Sequence, residues 1–328
     1  MPWMELSLDT TSEAVDWVCT LLAGTGYRGK VEIVECPPDS GSHWAFTLYL
    51  YLPQAQAQAQ AQEIADVLLP LHRTGIATEL QVRIVEDLAA AKSSQAVSSP
   101  RIHRVGDRFV ILSESDELSS SYSPAPHELT LQIKTSLAFG SGLHPATQLS
   151  LRLLEKHITS EMKTLDLGSG SGILSVAIAK LGAQVLAIDN DAIAVQATQD
   201  ALQRNGVVSQ ATVLQGSLGQ GSQLGHWMGG KTTDESKTLD AISDRISASD
   251  LSRIAPFDLI VANILARVHI TLAPDFRRAL IPSGLLITAG FTTDYEAAVA
   301  SALGEEGFEA VDCERLQEWV AWMYRLNP

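Results

Sequence analysis

Leu165-Asp166-Leu167-Gly168-Ser169-Gly170-Ser171-Gly172 sets three glycines at alternate positions between an apolar run and Ile173 to Leu181, a stretch of helical pattern. Glycine accepts positive φ and has no side chain to clash, so this turn lets backbone approach a ligand closely. In a dinucleotide fingerprint the third glycine would stand where this chain has Ile173. Its absence favours a ligand carrying an adenosine and an amino-acid moiety over one that seats a pyrophosphate on the helix N-terminus. Asp189 closes the next apolar strand, about 20 residues past the loop, where a carboxylate can accept hydrogen bonds from both hydroxyls of a ribose. Asp191 is the alternative, but the strand end favours Asp189. A plain tight turn with a helix-capping aspartate is the competing structural reading.

These residues need a scaffold of alternating strands and helices. Beyond Leu131 apolar runs at Thr164 to Leu167, Gln184 to Ile188, Ala211 to Leu214, Leu259 to Ala262 and Leu285 to Ala289 alternate with helical segments, which predicts a mostly parallel, doubly wound α/β sheet. Phe308 to Asp312 and Trp319 to Arg325 lie too close together for a crossover helix, so they should pair as a hairpin that brings in one antiparallel strand. The expected total is seven strands. Ahead of it, residues 3 to 8, 11 to 23, 31 to 35, 44 to 52, 54 to 71 and 78 to 85 read as β-α-β-β-α-β, the order of a small α+β ferredoxin-like domain over 1–86.

Residues 87–130 read as a Ser-, Ala- and Pro-rich linker holding one strand near Arg108 to Leu112, and 131–328 as the larger domain. Gln54 to Gln62 alternates Ala with Gln and reads as a solvated first turn or two of helix. Gln215 to Pro256, rich in Gly, Ser, Thr, Asp and Lys, is long for a βαβ connection and reads as a surface insertion.

Composition narrows the partners. The chain has 328 residues, 45% of them hydrophobic, enough for two packed cores, and 38 acidic against 23 basic residues give a net charge of −15. That balance opposes broad contact with a phosphate backbone, so no direct nucleic-acid binding is expected, and it suits a cationic partner. Cys19, Cys36 and Cys313 are scattered, which implies neither a disulfide framework nor a metal site. No apolar run reaches membrane-spanning length and Met1-Pro2-Trp3-Met4-Glu5 lacks the flanks of a signal peptide, so a soluble, cytoplasmic protein is the expectation; a monomer is expected as well.

Two further segments carry a resemblance. Leu137-Ala138-Phe139-Gly140-Ser141-Gly142-Leu143-His144-Pro145-Ala146-Thr147 precedes the glycine loop, and Val261-Ala262-Asn263-Ile264-Leu265 ends the fourth strand of the larger domain. Together with the loop between them they resemble the ribosomal protein methyltransferase family PrmA, which modifies the eleventh protein of the large ribosomal subunit, L11. The resemblance implies a class I Rossmann-like methyltransferase that uses S-adenosylmethionine to methylate lysine side chains and α-amino groups of that protein. It covers 131–328 by motif and the N-terminal domain by element order and the Met-Pro-Trp start, and it casts that domain as the one that grips the substrate.

By motif position the family's cofactor-binding residues fall on Thr147, Gly168, Asp189 and Asn263, with Gly170 and Gly172 completing the loop. Asn263 would sit where methyl donor and acceptor meet, its side-chain oxygen accepting a hydrogen bond from an attacking amine and aligning the lone pair. The bland roles are helix capping for Thr147 and backbone satisfaction for Asn263. His144 could serve as a base or as a structural imidazole beside Pro145. Phe139, Leu265 and Phe291 could desolvate a lysine. Many class I methyltransferases place an acidic residue after the third strand to contact adenine, whereas Gln215-Gly216-Ser217 stands here. The competing functions are a methyltransferase of the same fold acting on another protein or a small molecule, an NAD-dependent oxidoreductase, and a non-catalytic nucleotide-binding module.

Overall fold

The computed structural model describes residues 2–23, 25, 27, 29, 31–36, 44–53, 57–86, 102–113, 122–133, 142–218, 245–246 and 256–328. Phe139, Gln54 to Gln56, most of the expected linker and nearly all of the expected insertion lie outside them. Contacts divide the chain into two compact units, one built mainly from 1–103 and the other mainly from 145–328.

The first unit carries β1 (Trp3–Thr10), α1 (Ala14–Ala23), β2 (Val31–Glu35), β3 (Phe46–Pro53), α2 (Ala57–Arg73) and β4 (Gln81–Val85). Its four strands pair antiparallel in the order β2-β3-β1-β4, the ferredoxin-like arrangement expected from the element order. Alternation does the folding work: Leu6, Leu8, Leu48, Leu50, Val31 and Ile33 point into one core and meet Val15, Val18 and Leu22 of α1. The Ala-Gln stretch contributes more than a solvated turn. Ala57 and Ala61 fall four residues apart and in line with Ile64, Leu68 and Leu71, so both are buried against that core.

β5 (Ile102–Val105), β6 (Phe109–Ser113) and β7 (Leu129–Ile133) form a three-stranded sheet, and the division between the units runs through these strands. The sequence predicts only β6 of the three.

The second unit continues with α3 (Pro145–His157), β8 (Lys163–Leu167), α4 (Ile173–Lys180), β9 (Gln184–Asp189), α5 (Ala192–Arg204), β10 (Ala211–Gly216), β11 (Arg245–Ile246), β12 (Phe257–Asn263), α6 (Ala266–Ala279), β13 (Leu280–Thr292), α7 (Glu296–Glu305), β14 (Phe308–Leu316) and β15 (Trp319–Leu326). The sheet order is β11-β10-β9-β8-β12-β13-β15-β14. The seven expected strands are all present, and β11, two residues long, adds an eighth at the edge. β8 to β13 pair parallel, while β15 runs antiparallel to both β13 and β14, as the close spacing of the last two strands required. Leu165, Ile188, Ile260 and Leu286 pack one face of the sheet against Val268, Leu272 and Phe276 of α6. The chain winds outward from β8 through β9 and β10, then returns to place β12 on the other side of β8. That reversal makes the carboxyl ends of β8 and β12 a topological switch point, where open α/β sheets form the crevice that binds ligands. Among the described residues no helix is long and apolar enough to cross a membrane.

Candidate functional site

The crevice collects the residues singled out from the sequence. β8 runs directly into Gly168, and β12, paired with it through Ala262 and Leu167, ends at Asn263. β9, on the other flank of β8, ends at Asp189.

The glycine loop takes the backbone shape that its residue types imply. Gly168, Gly170 and Gly172 have φ of 76°, 54° and 81°, a region that L side chains rarely adopt. A Cβ on Gly172 would lie 2.8 Å from Thr198 Cα, and one on Gly168 would lie 2.9 Å from Ile264 Cγ2. The loop is therefore packed close both to α5 and to the segment after β12. From the fully buried Thr198 of α5, Oγ1 donates to Gly170 O at 3.1 Å and lies 2.9 Å from Ser169 Oγ. Thr198 thus holds the loop from behind. Nothing in the sequence near Thr198 signals this, because only the packing of α5 brings it there.

Asp189 holds the loop from the front. Its Oδ2 accepts from Gly170 N at 3.0 Å and its Oδ1 from Asp191 N at 3.0 Å. Asn190 is a third backbone donor to this carboxylate, and the acceptor capacity that remains suits a ribose hydroxyl. Burial pushes its pKa up, opposed by these backbone donors. Asp191 caps α5, accepting from Ile193 N at 2.9 Å. Asp166, two residues before the loop, escaped the sequence reading. Its signal was there, a lone carboxylate between Leu165 and Leu167 directly ahead of the glycine loop. Its Oδ2 accepts from Ser175 Oγ at 2.5 Å, and Oδ1 is buried with no hydrogen-bond partner among the described residues. Burial, with a smaller contribution from nearby Asp189, raises its pKa to about 7.

Asn263 and Thr147 meet. Nδ2 of Asn263 donates to Thr147 Oγ1 at 3.2 Å, joining the end of β12 to the first turn of α3. The other half of the carboxamide, Oδ1, is buried and has no hydrogen-bond partner among the described residues. An orphaned acceptor in such a place costs stability unless a donor arrives, so the arrangement fits a ligand bearing an N–H. Behind it, Ile264 N donates to Ala289 O at 2.9 Å. Gly290, at φ 92°, has no room for a Cβ, which would fall 2.6 Å from Ile264 O. Leu265 and Phe291 lie in the adjoining core. His144 is buried, and burial lowers its pKa to about 3, which makes it a poor base near neutral pH. Phe139 lies outside the described residues.

The site thus offers a close backbone cradle, a carboxylate at the strand end beside it and an unmet acceptor across the crevice, a set that fits S-adenosylmethionine. Among the described residues no cluster of side chains could hold a metal ion.

A family model described as ribosomal protein L11 methyltransferase (PrmA) matches residues 2–225 and 230–327. A ribosomal protein L11 methyltransferase of Chloroflexus aurantiacus is 38% identical, over 98% of this chain and 98% of its own. That of Herpetosiphon aurantiacus is 37% identical over 99% of each. Among solved structures, the ribosomal protein L11 methylase of Lactobacillus delbrueckii subsp. bulgaricus superposes with a TM-score of 0.52 at 25% identity, covering 69% of this chain and 99% of its own.

Proposed function

The chain belongs to the PrmA family of ribosomal protein L11 methyltransferases, and from that membership we propose that it methylates lysine side-chain and α-amino nitrogens of ribosomal protein L11. It is an S-adenosylmethionine-dependent methyltransferase. The observation that carries the amine reading is the buried, unmet Oδ1 of Asn263. We assign Thr147, Gly168, Gly170, Gly172, Asp189 and Asn263 to the cofactor, and to Asn263 also the acceptor amine.

The cofactor supplies an activated methyl group on a sulfonium that is its own leaving group. The chain's residues have to bind, orient and exclude water. Asp189 would accept from the ribose, and the glycine loop would let its backbone come within contact of the cofactor. Thr147, whose oxygen already accepts from Asn263, still has its hydroxyl hydrogen to donate to the carboxylate of the methionine moiety. Asn263 Oδ1 accepts an N–H of the incoming amine and so directs its lone pair. The amine must arrive neutral against an ordinary pKa near about 10.4. His144, its pKa lowered to about 3 by burial, is a poor acceptor for the amine's proton. The acidic chain, with a net charge of −15, suits a lysine-bearing target. We assign substrate recognition to the N-terminal domain, and we take the protein to be a cytoplasmic monomer that does not bind nucleic acid directly.

Incubation of the purified enzyme with methyl-labelled cofactor and isolated L11 tests the reading. Label is expected on L11 amines; label on other proteins or small molecules with none on L11 would overturn it.

Two results follow from the geometry of the loop. Thr198→Val keeps the shape of the side chain but removes both contacts to the loop, so calorimetry should show binding of S-adenosylhomocysteine weakened by about fivefold to tenfold. The second concerns pH. Because the folded chain raises Asp166 from 3.8 to about 7, its contribution to the stability of the ligand-free protein is full below about pH 4 and is lost as pH rises through 7. A cationic cofactor favours the ionised carboxylate, so affinity for S-adenosylmethionine should rise between pH 6 and 8, with proton release on binding. Asp166→Asn should flatten that dependence, and an unchanged slope in the variant would assign it to another group.

A further inference from the structure

We propose that His269 is a positioning residue that holds the Asn263 segment in register by hydrogen bonding to the Ala289 carbonyl. His269 stands in the first turn of α6 with its ring fully buried. Its Nε2 lies 2.9 Å from Ala289 O, and a carbonyl only accepts, so Nε2 carries the proton. Burial lowers its pKa to about 4 against the opposing pull of the Ala289 and Ile264 carbonyls, so the ring is neutral under working conditions, protonated on Nε2, with Nδ1 buried and without a hydrogen-bond partner among the described residues. The same carbonyl accepts the amide of Ile264, the residue directly after Asn263, at 2.9 Å. Both lone pairs of one oxygen are therefore used to tie the end of β12 and the start of α6 to β13.

The bracing continues on either side. Asn263 pairs with Ala289 across the two strands, and Gly290 brings its backbone against Ile264 more closely than any side chain would allow. The imidazole and the Phe291 ring pack edge to face, with centroids 5.4 Å apart and planes at 73°, and the Phe276 centroid lies 6.1 Å away. A leucine at 269 would fill the same apolar space with no polar atom to satisfy. The imidazole instead adds one directed bond at the strand end, one residue from the carboxamide that meets the substrate.

The inference rests on the amine-positioning role of Asn263, so its test has one arm that needs no substrate. His269→Leu and His269→Gln are compared with wild type for thermal stability, S-adenosylhomocysteine binding, kcat and KM on L11, and hydrogen exchange at the Ile264 amide. In His269→Leu the folded state and cofactor affinity should stay within about twofold of wild type, while Ile264 exchange quickens and kcat falls about tenfold or more with KM little changed. In His269→Gln the side-chain N–H can replace Nε2–H, and both readouts should recover.

Ile264 exchange and kcat that are unaltered in His269→Leu would overturn the proposal. So would failure of His269→Gln to recover either, or a loss of stability and cofactor binding in proportion to kcat, which marks a merely structural core residue. Absence of wild-type transfer to L11 would instead count against the substrate reading, and the exchange arm would still decide the role of His269.

Discussion

Asn263→Ala is expected to lower kcat for methyl transfer by about 100-fold or more, because positioning is most of what the protein adds to a cofactor that brings its own leaving group. The carboxamide is held rigidly by its donation to Thr147 Oγ1 at 3.2 Å, and its oxygen has no other claim on it among the described residues. Removal leaves a small cavity at a partly buried strand end, and it also removes an orphaned acceptor, so stability should change little. The defect should appear in kcat rather than in the KM for L11, as for an interaction that tightens toward the transition state.

Asn263→Asp sharpens the result. An anion at this position favours an ammonium over a neutral amine, so residual activity should shift to higher pH. Steady-state rates from pH 6 to 10 with both variants would read this, and an Asn263→Ala enzyme retaining most of its kcat would remove the residue from the chemistry.

Asp189→Ala has the second large effect, on affinity. It deletes the acceptor for Gly170 N and Asp191 N together with the acceptors proposed for the ribose, so the glycine loop loses its front support in the same step. Hydrogen bonds to a charged group are worth about 1.5–3 kcal/mol each, and loss of two corresponds to a rise of about 100-fold or more in the Kd for S-adenosylhomocysteine. Asp189→Asn separates the parts, since it keeps the shape and loses the charge. Without that charge Asp166 should titrate lower, so ligand-free stability should fall less steeply toward neutral pH than in wild type. Isothermal calorimetry with pH-dependent melting would check both, and wild-type affinity in Asp189→Ala would contradict the assignment.

Much of the site was legible because its chemistry constrains residue type locally. The glycine loop needs positive φ at 168, 170 and 172, and only glycine meets that need without strain, so spacing alone exposed it. Asp189 and Asn263 could be placed at strand ends because the apolar runs before them are unbroken. The ferredoxin-like unit was readable from alternation, and the terminal hairpin from the short spacing of its strands.

What stayed hidden is tertiary. Thr198 is an ordinary threonine on a helix until α5 packs behind the loop, and His269 looks like any residue of an amphipathic helix until its ring reaches Ala289 O. β5 and β7 were missed because short strands flanked by polar segments carry too few residues to show a period. The buried role of Ala57 and Ala61 was concealed by low complexity, since alternation with Gln hides which alanines fall on the core stripe.

The most direct test is the intact mass of L11 purified from cells lacking this chain, complemented with wild type or with Asn263→Ala. L11 should lose whole methyl increments in the deletion, regain them with wild type, and fail to regain them fully with the variant. An L11 of unchanged mass in the deletion would contradict the substrate and direct the search to another protein or a small molecule.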